Sequence, residues 1–419
     1  MQVEIIDISH SGSGVGKING KVIFIPFTDI GEIVEVKNLK SNSKFDRGEL
    51  EKVILSSKDR CEPFCPYFSK CGGCDFQFVS YERELEIKLQ ILKNELKKVN
   101  FFEKIKFFPS KNRFFYRNKI KLSYFNGKLG YHTLSNNFIE ISNCPLADKE
   151  INDAVETLKK YLKEVKYQHL TSITFRKSDD KILIAFLFKE KEKFVYSKSL
   201  DNFVVGIFIG KVLESDKTKL IETFNFCETY KTMLGAKIPL DFKSFFQVND
   251  NVAEKLYRYI LNNLKDKKVI NAYSGQGALS LYLAKKCQKV VGIEVQKSSH
   301  LIAEKIKTSN MENINGLVEE TLNSLLEKEN FDAIVLDPAR EGCQESVIEA
   351  IKKAKIKDVF YISCNFSTLI RDLKKLCENY IIENVKMFDM FPNTANMEVC
   401  VRLSLKKVWL CKFQIFKNL

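Results

Sequence analysis

From about Leu240 the chain settles into one texture: NVAEKLYRYILNNL, KVINAYSG, ALSLYLAKK, KVVGIEV, SHLIAEKIKTSN, FDAIVLDPAR, ESVIEAIKKA, DVFYISCN and LIRDLKKLCEN. Short apolar runs alternate with amphipathic runs of roughly 10–15 residues, which predicts the strands and helices of a doubly wound, mostly parallel α/β sheet. Such sheets bind ligands in the crevice outside the carboxyl ends of their strands. The residues just after each apolar run therefore become the candidates for a site.

Upstream the pattern differs. Residues 1–58 contain VEIIDIS, VIFIPF, EIVEVKNL and LEKVILS around the turn SGSGVGKINGK, predicting a small β-barrel. Leu85, Leu89, Leu92 and Leu96 then recur at helical spacing. KIKLSYF, SITFRK, KILIAFLF and FVVGIFIG with the helix INDAVETLKKYLKEV describe an α+β central domain. The expected division is 1–58, 59–238 and 239–419, which suits a chain of 419 residues.

A net charge of +14 and 12% aromatic residues favour a polyanionic partner, nucleic acid. No run of roughly 18 apolar residues appears, and MQVEIIDISHSG lacks a basic-then-apolar leader, so a soluble cytoplasmic protein without a membrane partner is expected. In that compartment the 12 cysteines are not expected to form disulfides. Four of them, Cys61, Cys65, Cys71 and Cys74, crowd the Pro- and Gly-rich loop CEPFCPYFSKCGGCDF. Zinc usually takes paired C-x2-C knuckles or histidines, and none of the 4 histidines is beside this loop. Three thiols plus a distant fourth suit a [4Fe-4S] cluster. Cys144, followed by Pro in ISNCPL, is the best distant candidate, with Cys61 the alternative that spacing leaves open.

In KVINAYSGQGALSLYLA the strand ends at Tyr273, and Gly275 and Gly277 occupy the turn into the next helix. The following strand ends in Glu294, where an acid can bind a ribose diol. A nicotinamide dinucleotide and S-adenosylmethionine both fit, but the dinucleotide fingerprint wants a third glycine where Ser280 stands. Asp337 ends another strand and reads equally as a helix N-cap. Cys364 follows DVFYIS and so shares this sheet edge. An isolated cysteine is more often a small hydrophobe, yet at the rim, beside a predicted helix N-terminus expected to lower its pKa, it reads as a nucleophile. Glu398, in FDMFPNTANMEVCVRL, is either an edge-strand surface acid or, between Met397 and Val399, a partly desolvated general base.

Taken together, CPYFSKCGGCDFQ, YRNK (116–119), SFFQVN (244–249), AYSGQGALSLYLA, VVGIEV, LDPAR, YISCN and MFPNTANMEV run in family order from residue 1 to about 405. They resemble the S-adenosylmethionine-dependent RNA uracil-5 methyltransferases of the branch with an N-terminal TRAM domain and an iron–sulfur cluster. The resemblance implies Cys65, Cys71, Cys74 and Cys144 as ligands of a [4Fe-4S] cluster, leaving Cys61 out. It implies Gln247, Tyr273, Glu294 and Asp337 as S-adenosylmethionine contacts, Cys364 as the nucleophile that adds to uracil carbon 6, and Glu398 as the base. The implied partner of this monomer is RNA: 23S ribosomal RNA first, the transfer RNA T-loop uridine second. A non-catalytic RNA-binding or assembly protein is the competing class, against which the retention of both Cys364 and Glu398 speaks. The chain departs from the family's usual Asp-Leu-Tyr at Asn271-Ala272-Tyr273, from Pro at Ala339 and Phe366, and from His at Asn396.

Overall fold

Alternating burial along the first strands marks one face turned inward in the computed structural model, which describes residues 1–133, 136–210 and 218–406. Gln2–Glu4, Asp7–Ile8, Gly14–Ile18, Lys21–Ile25, Ile33–Ser41 and Asp46–Leu55 form a six-stranded sheet. Its outermost strands are Gln2–Glu4 and Asp7–Ile8, which follow one another in the chain, so the sheet curls closed around Val3, Ile23, Ile25 and Val34. One expectation is corrected here: Gly14–Ile18, taken as part of a turn, is a strand paired antiparallel with Lys21–Ile25. A Cβ on Gly16 would lie 2.3 Å from Val3 Cγ1, so the glycine serves close approach across the barrel.

The central segment builds a seven-stranded, mainly antiparallel sheet, with helix Lys149–Glu164 laying Ile151, Val155, Leu158 and Leu162 on one face. The chain then enters an eight-stranded sheet in the order Met311–Asn315, Lys289–Glu294, Lys268–Ala272, Ala333–Leu336, Asp358–Ser363, Glu398–Leu405, Tyr380–Phe388, Lys106–Phe108. The first five strands are parallel, and Glu398–Leu405 runs antiparallel between two neighbours. Apolar clusters on both faces explain the near-continuous apolar strands. The eighth strand comes from the central segment, where three residues carry too little pattern to be read from sequence. Among the described residues, no helix is long and apolar enough to cross a membrane.

Candidate active site

The carboxyl edge of the parallel strands carries the predicted residues. After Lys268–Ala272 the backbone turns through Tyr273 (φ +60°), Gly275 (φ +57°) and Gly277 (φ +81°) into helix Ala278–Ala284. A Cβ on Gly277 would stand 2.8 Å from Ala303 Cβ, so glycine permits the helix to pack there. A Cβ on Gly275 would meet nothing within 4 Å, which leaves that face of the turn open. Glu294 grips the turn from the next strand, its Oε2 accepting from the Gly275 amide at 2.8 Å and its Oε1 from the Gln296 amide at 2.7 Å. Tyr273 donates its hydroxyl to Glu319 Oε1 at 3.1 Å. Asn271, which replaces the family's acid, donates to Ser280 Oγ at 2.9 Å.

Gln247, Tyr273 and Asp337 line one cavity above this turn, and Glu294 reaches it through Gly275. Gln276 lines it too and was missed in the sequence reading: it is 2% exposed, and neither Nε2 nor Oε1 has a hydrogen-bond partner among the described residues. A buried amide left unpaired is costly, and a polar ligand in the cavity would satisfy it. The residues present therefore fit a polar cofactor. The motif YRNK gains a role as well. Asn118 donates to Gln247 O at 2.9 Å and to Asp250 Oδ1 at 2.7 Å, while Arg176 donates to Asp241 O at 2.9 Å, fixing the segment that carries Gln247.

Further along the edge, Cys364 follows Asp358–Ser363. Asn365 caps helix Phe366–Leu376 by accepting from the Ser367 amide at 3.1 Å and ties this loop to the next by donating to Arg340 O at 2.8 Å. Phe366 occupies the first helical position, where proline is also favoured, so this departure leaves the helix start regular. The expected lowering of the Cys364 pKa is corrected: burial, then Glu398 and Asp337, push the thiol up to about 11 against the opposing pull of Arg340. The cysteine lies just outside the helix cap, where burial is the largest influence on it and the two carboxyl groups add to it.

Glu398 is 5% exposed and begins an interior strand, so it is not an edge-strand surface acid. Its carboxyl accepts no hydrogen bond among the described residues. Burial, then Asp337, raises it well above the ordinary carboxylate range. Asp337 is pushed up to about 7 by burial. It caps no helix, since the next one begins at Glu345.

A second constellation lies in the central segment. Cys65, Cys71, Cys74 and Cys144 line one cavity of ≈ 70 Å³ together with Arg117, whereas Cys61 is exposed and donates its thiol to Gln77 O at 3.6 Å. Gln77 organises the loop, donating to Cys74 Sγ at 3.2 Å and accepting from the Cys65 amide at 3.0 Å. Asn152 holds Cys144 by accepting from its amide at 2.9 Å and donating to its carbonyl at 3.0 Å. Burial, and then the proximity of Cys144 among other causes, raises the thiols of Cys65, Cys71 and Cys74, the last to about 12. No three His, Cys, Asp or Glu side chains among the described residues could hold a single metal ion. The four thiols ring a cavity without converging on a point.

The fold is that of the α/β methyltransferases. It matches the Pyrococcus abyssi tRNA (uracil-54, C5)-methyltransferase, whose structure was determined with S-adenosyl-L-homocysteine, at a TM-score of 0.79 and 23% identity, covering 96% of this chain and 100% of that one. The family profile described as tRNA (Uracil-5-)-methyltransferase matches residues 80–406, and the TRAM domain profile matches residues 1–50. The chain belongs to the tRNA (uracil-5-)-methyltransferase family, as an RNA-modifying enzyme with an N-terminal TRAM domain. Among its relatives, an uncharacterized RNA methyltransferase of Listeria monocytogenes is 32% identical over 97% of both chains. One of Clostridium acetobutylicum is 31% identical over 96% of both.

Proposed function

We propose that this protein methylates carbon 5 of a uridine in 23S ribosomal RNA, using S-adenosylmethionine and a covalent link through Cys364. The observation that carries the reading is the gathering of Cys364, Glu398 and Asp337 at one sheet edge, beside the cavity lined by Gln247 and the unpaired Gln276. Carbon 5 of uracil is a poor nucleophile. Addition of the Cys364 thiolate to carbon 6 turns the ring into an enolate whose carbon 5 can attack an electrophile. Bound S-adenosylmethionine supplies the electrophilic methyl group, and Gln247, Tyr273, Glu294 and Asp337 are the residues that would hold it. A carboxyl raised by burial is a base matched to neutral pH, so Glu398 takes the carbon-5 proton and elimination frees Cys364. The target base has to leave its stack to reach this edge, and the net charge of +14 draws the RNA backbone in.

We assign Cys65, Cys71, Cys74 and Cys144 to a [4Fe-4S] cluster. A single zinc ion draws its four sulfurs to about 2.3 Å, whereas a cubane takes one thiolate on each iron and keeps them apart. Thiols ringing a cavity support the second arrangement, as does the cationic Arg117 beside what would be an anionic centre. No step of the transfer needs the cluster, and its role here is structural. The protein acts as a cytoplasmic monomer with domain borders near residues 58 and 238.

Transfer RNA is the second reading, because the matching family profile names it. Anaerobically purified protein, labelled S-adenosylmethionine and unmodified 23S ribosomal and transfer RNA separate the two, the product being mapped to its uridine. No carbon-5 methylation of either RNA would sink the proposal. Absorbance near 400 nm that disappears in Cys71→Ala would support the cluster, and stoichiometric zinc would exclude it.

A further inference from the structure

The segment FPNTAN, residues 391–396, runs directly into Glu398 and is held from outside its own sheet. Asp75, the neighbour of Cys74, grips it at two points. The Asp75 and Phe76 amides donate to Asn393 O at 2.8 and 3.1 Å, and the Ala395 amide donates to Asp75 Oδ2 at 2.7 Å. Asn393 adopts φ +67°, and its own amide donates to Glu84 Oε1 at 2.6 Å. The pairing of this strand with Tyr380–Phe388 begins only at Glu398 itself. The barrel turn at Gly12 packs against both: an added Cβ there would meet Ala395 Cβ at 3.0 Å and Asp75 Cβ at 3.3 Å. Three remote parts of the chain thus meet on the stretch of backbone that delivers Glu398.

We infer that Asp75 is a positioning residue for methyl transfer: by holding the Ala395 amide it sets how Glu398 faces the carbon whose proton it removes. The inference rests on the reading of Glu398 as the base. The Glu398 carboxyl has no hydrogen bond of its own among the described residues, so its placement follows its backbone. A base works within about 2.6–3.2 Å of its proton, and a displacement of about 1 Å can cost about 100-fold in rate. Cys364 belongs to a different loop with its own cap, Asn365. Loosening the Glu398 segment therefore leaves the addition step intact and slows the proton removal that follows, so the covalent intermediate builds up.

Full-length Asp75→Ala, Asp75→Asn and Glu398→Gln are compared with wild type on transcribed 23S ribosomal RNA and transfer RNA. Asp75→Ala is expected to lower kcat by about 10- to 100-fold at unchanged KM, to leave a protein–RNA band on denaturing gels, and to speed amide exchange only across 391–398. Asp75→Asn keeps an acceptor oxygen for Ala395 and restores kcat. If Asp75→Ala does not fold, Asp75→Ser, too short to reach that amide, is read in the same way. Wild-type turnover in Asp75→Ala, lost turnover without the band, or faster exchange throughout the protein overturns the inference. A band with Glu398→Gln but none with Asp75→Ala overturns it while leaving the base reading intact, and unimpaired turnover by Glu398→Gln overturns both.

Discussion

Half-buried Cys364 faces Glu398 and Asp337, and their negative field, added to burial, holds its thiol near 11. At pH 7 only about one part in 10,000 of such a thiol is ionised. Iodoacetamide should therefore label the exposed Cys61 and Cys227 first, with labelling of Cys364 rising about tenfold per pH unit above neutrality; peptide mass mapping reads both. The two carboxyl groups set the acid limb of the reaction. Asp337, near 7, and Glu398, raised beside it, take up protons as the pH falls, and a protonated Glu398 is no base. We expect kcat/KM to fall on acidification through neutrality. Asp337→Asn removes the like charge and should move that limb to lower pH, as pH–rate profiles would show. Stability has a matching sign. A carboxyl whose folded pKa exceeds its unfolded value contributes fully below the unfolded pKa and loses that contribution as the pH rises through the folded one. Glu398→Gln, always neutral, should thus raise the unfolding free energy at pH 8 by an amount on the order of 1 kcal/mol, read as a higher Tm, and leave Tm unchanged at pH 4.

At the scale of elements, the helix starts and strand ends determine what each side chain can reach. Asn365 caps helix Phe366–Leu376 and also bonds to Arg340 O. Asn365→Ala should cost about 1 kcal/mol in denaturant unfolding and slow adduct formation by releasing the Cys364 loop. Gly277→Ala meets both a positive φ and the Ala303 side chain. We expect a loss of about 1–3 kcal/mol and weaker S-adenosylhomocysteine binding by calorimetry. Four of the five parallel strands were legible because apolar runs and turn residues are local signals; Met311–Asn315, whose MENIN carries no apolar run, was not. Gly14–Ile18 was not, because Gly16 answers to Val3 and Glu4 and Gly14 to Ile5 and Thr28 across the barrel, and neither was Lys106–Phe108, whose three residues pair with a strand 280 positions away.

Across the whole molecule, the barrel is held to the central segment by buried acids. Glu32 is 0% exposed and meets Arg60 Nε at 2.5 Å, and Asp29 meets Arg83 Nη2 at 2.9 Å. Arg60→Ala strands a buried carboxylate, which costs on the order of 3 kcal/mol, and should expose residues 56–60 to limited proteolysis before the rest unfolds. The sequence by itself determined most of the strands and helices of the methyltransferase sheet, and that Tyr273, Glu294, Asp337 and Cys364 lie at or just after strand ends, because hydrophobic period and turn chemistry act over a few neighbouring residues. Only the tertiary structure decided that Cys144 joins Cys65, Cys71 and Cys74 at the cavity while Cys61 stays outside, and that Glu398 lies in an interior strand within the field of Asp337. It alone brought Asp75 against Ala395, 320 residues away. These meetings depend on the order in which distant strands pair and on which loops the barrel covers. No local pattern encodes that order, since it is fixed when the chain closes on itself.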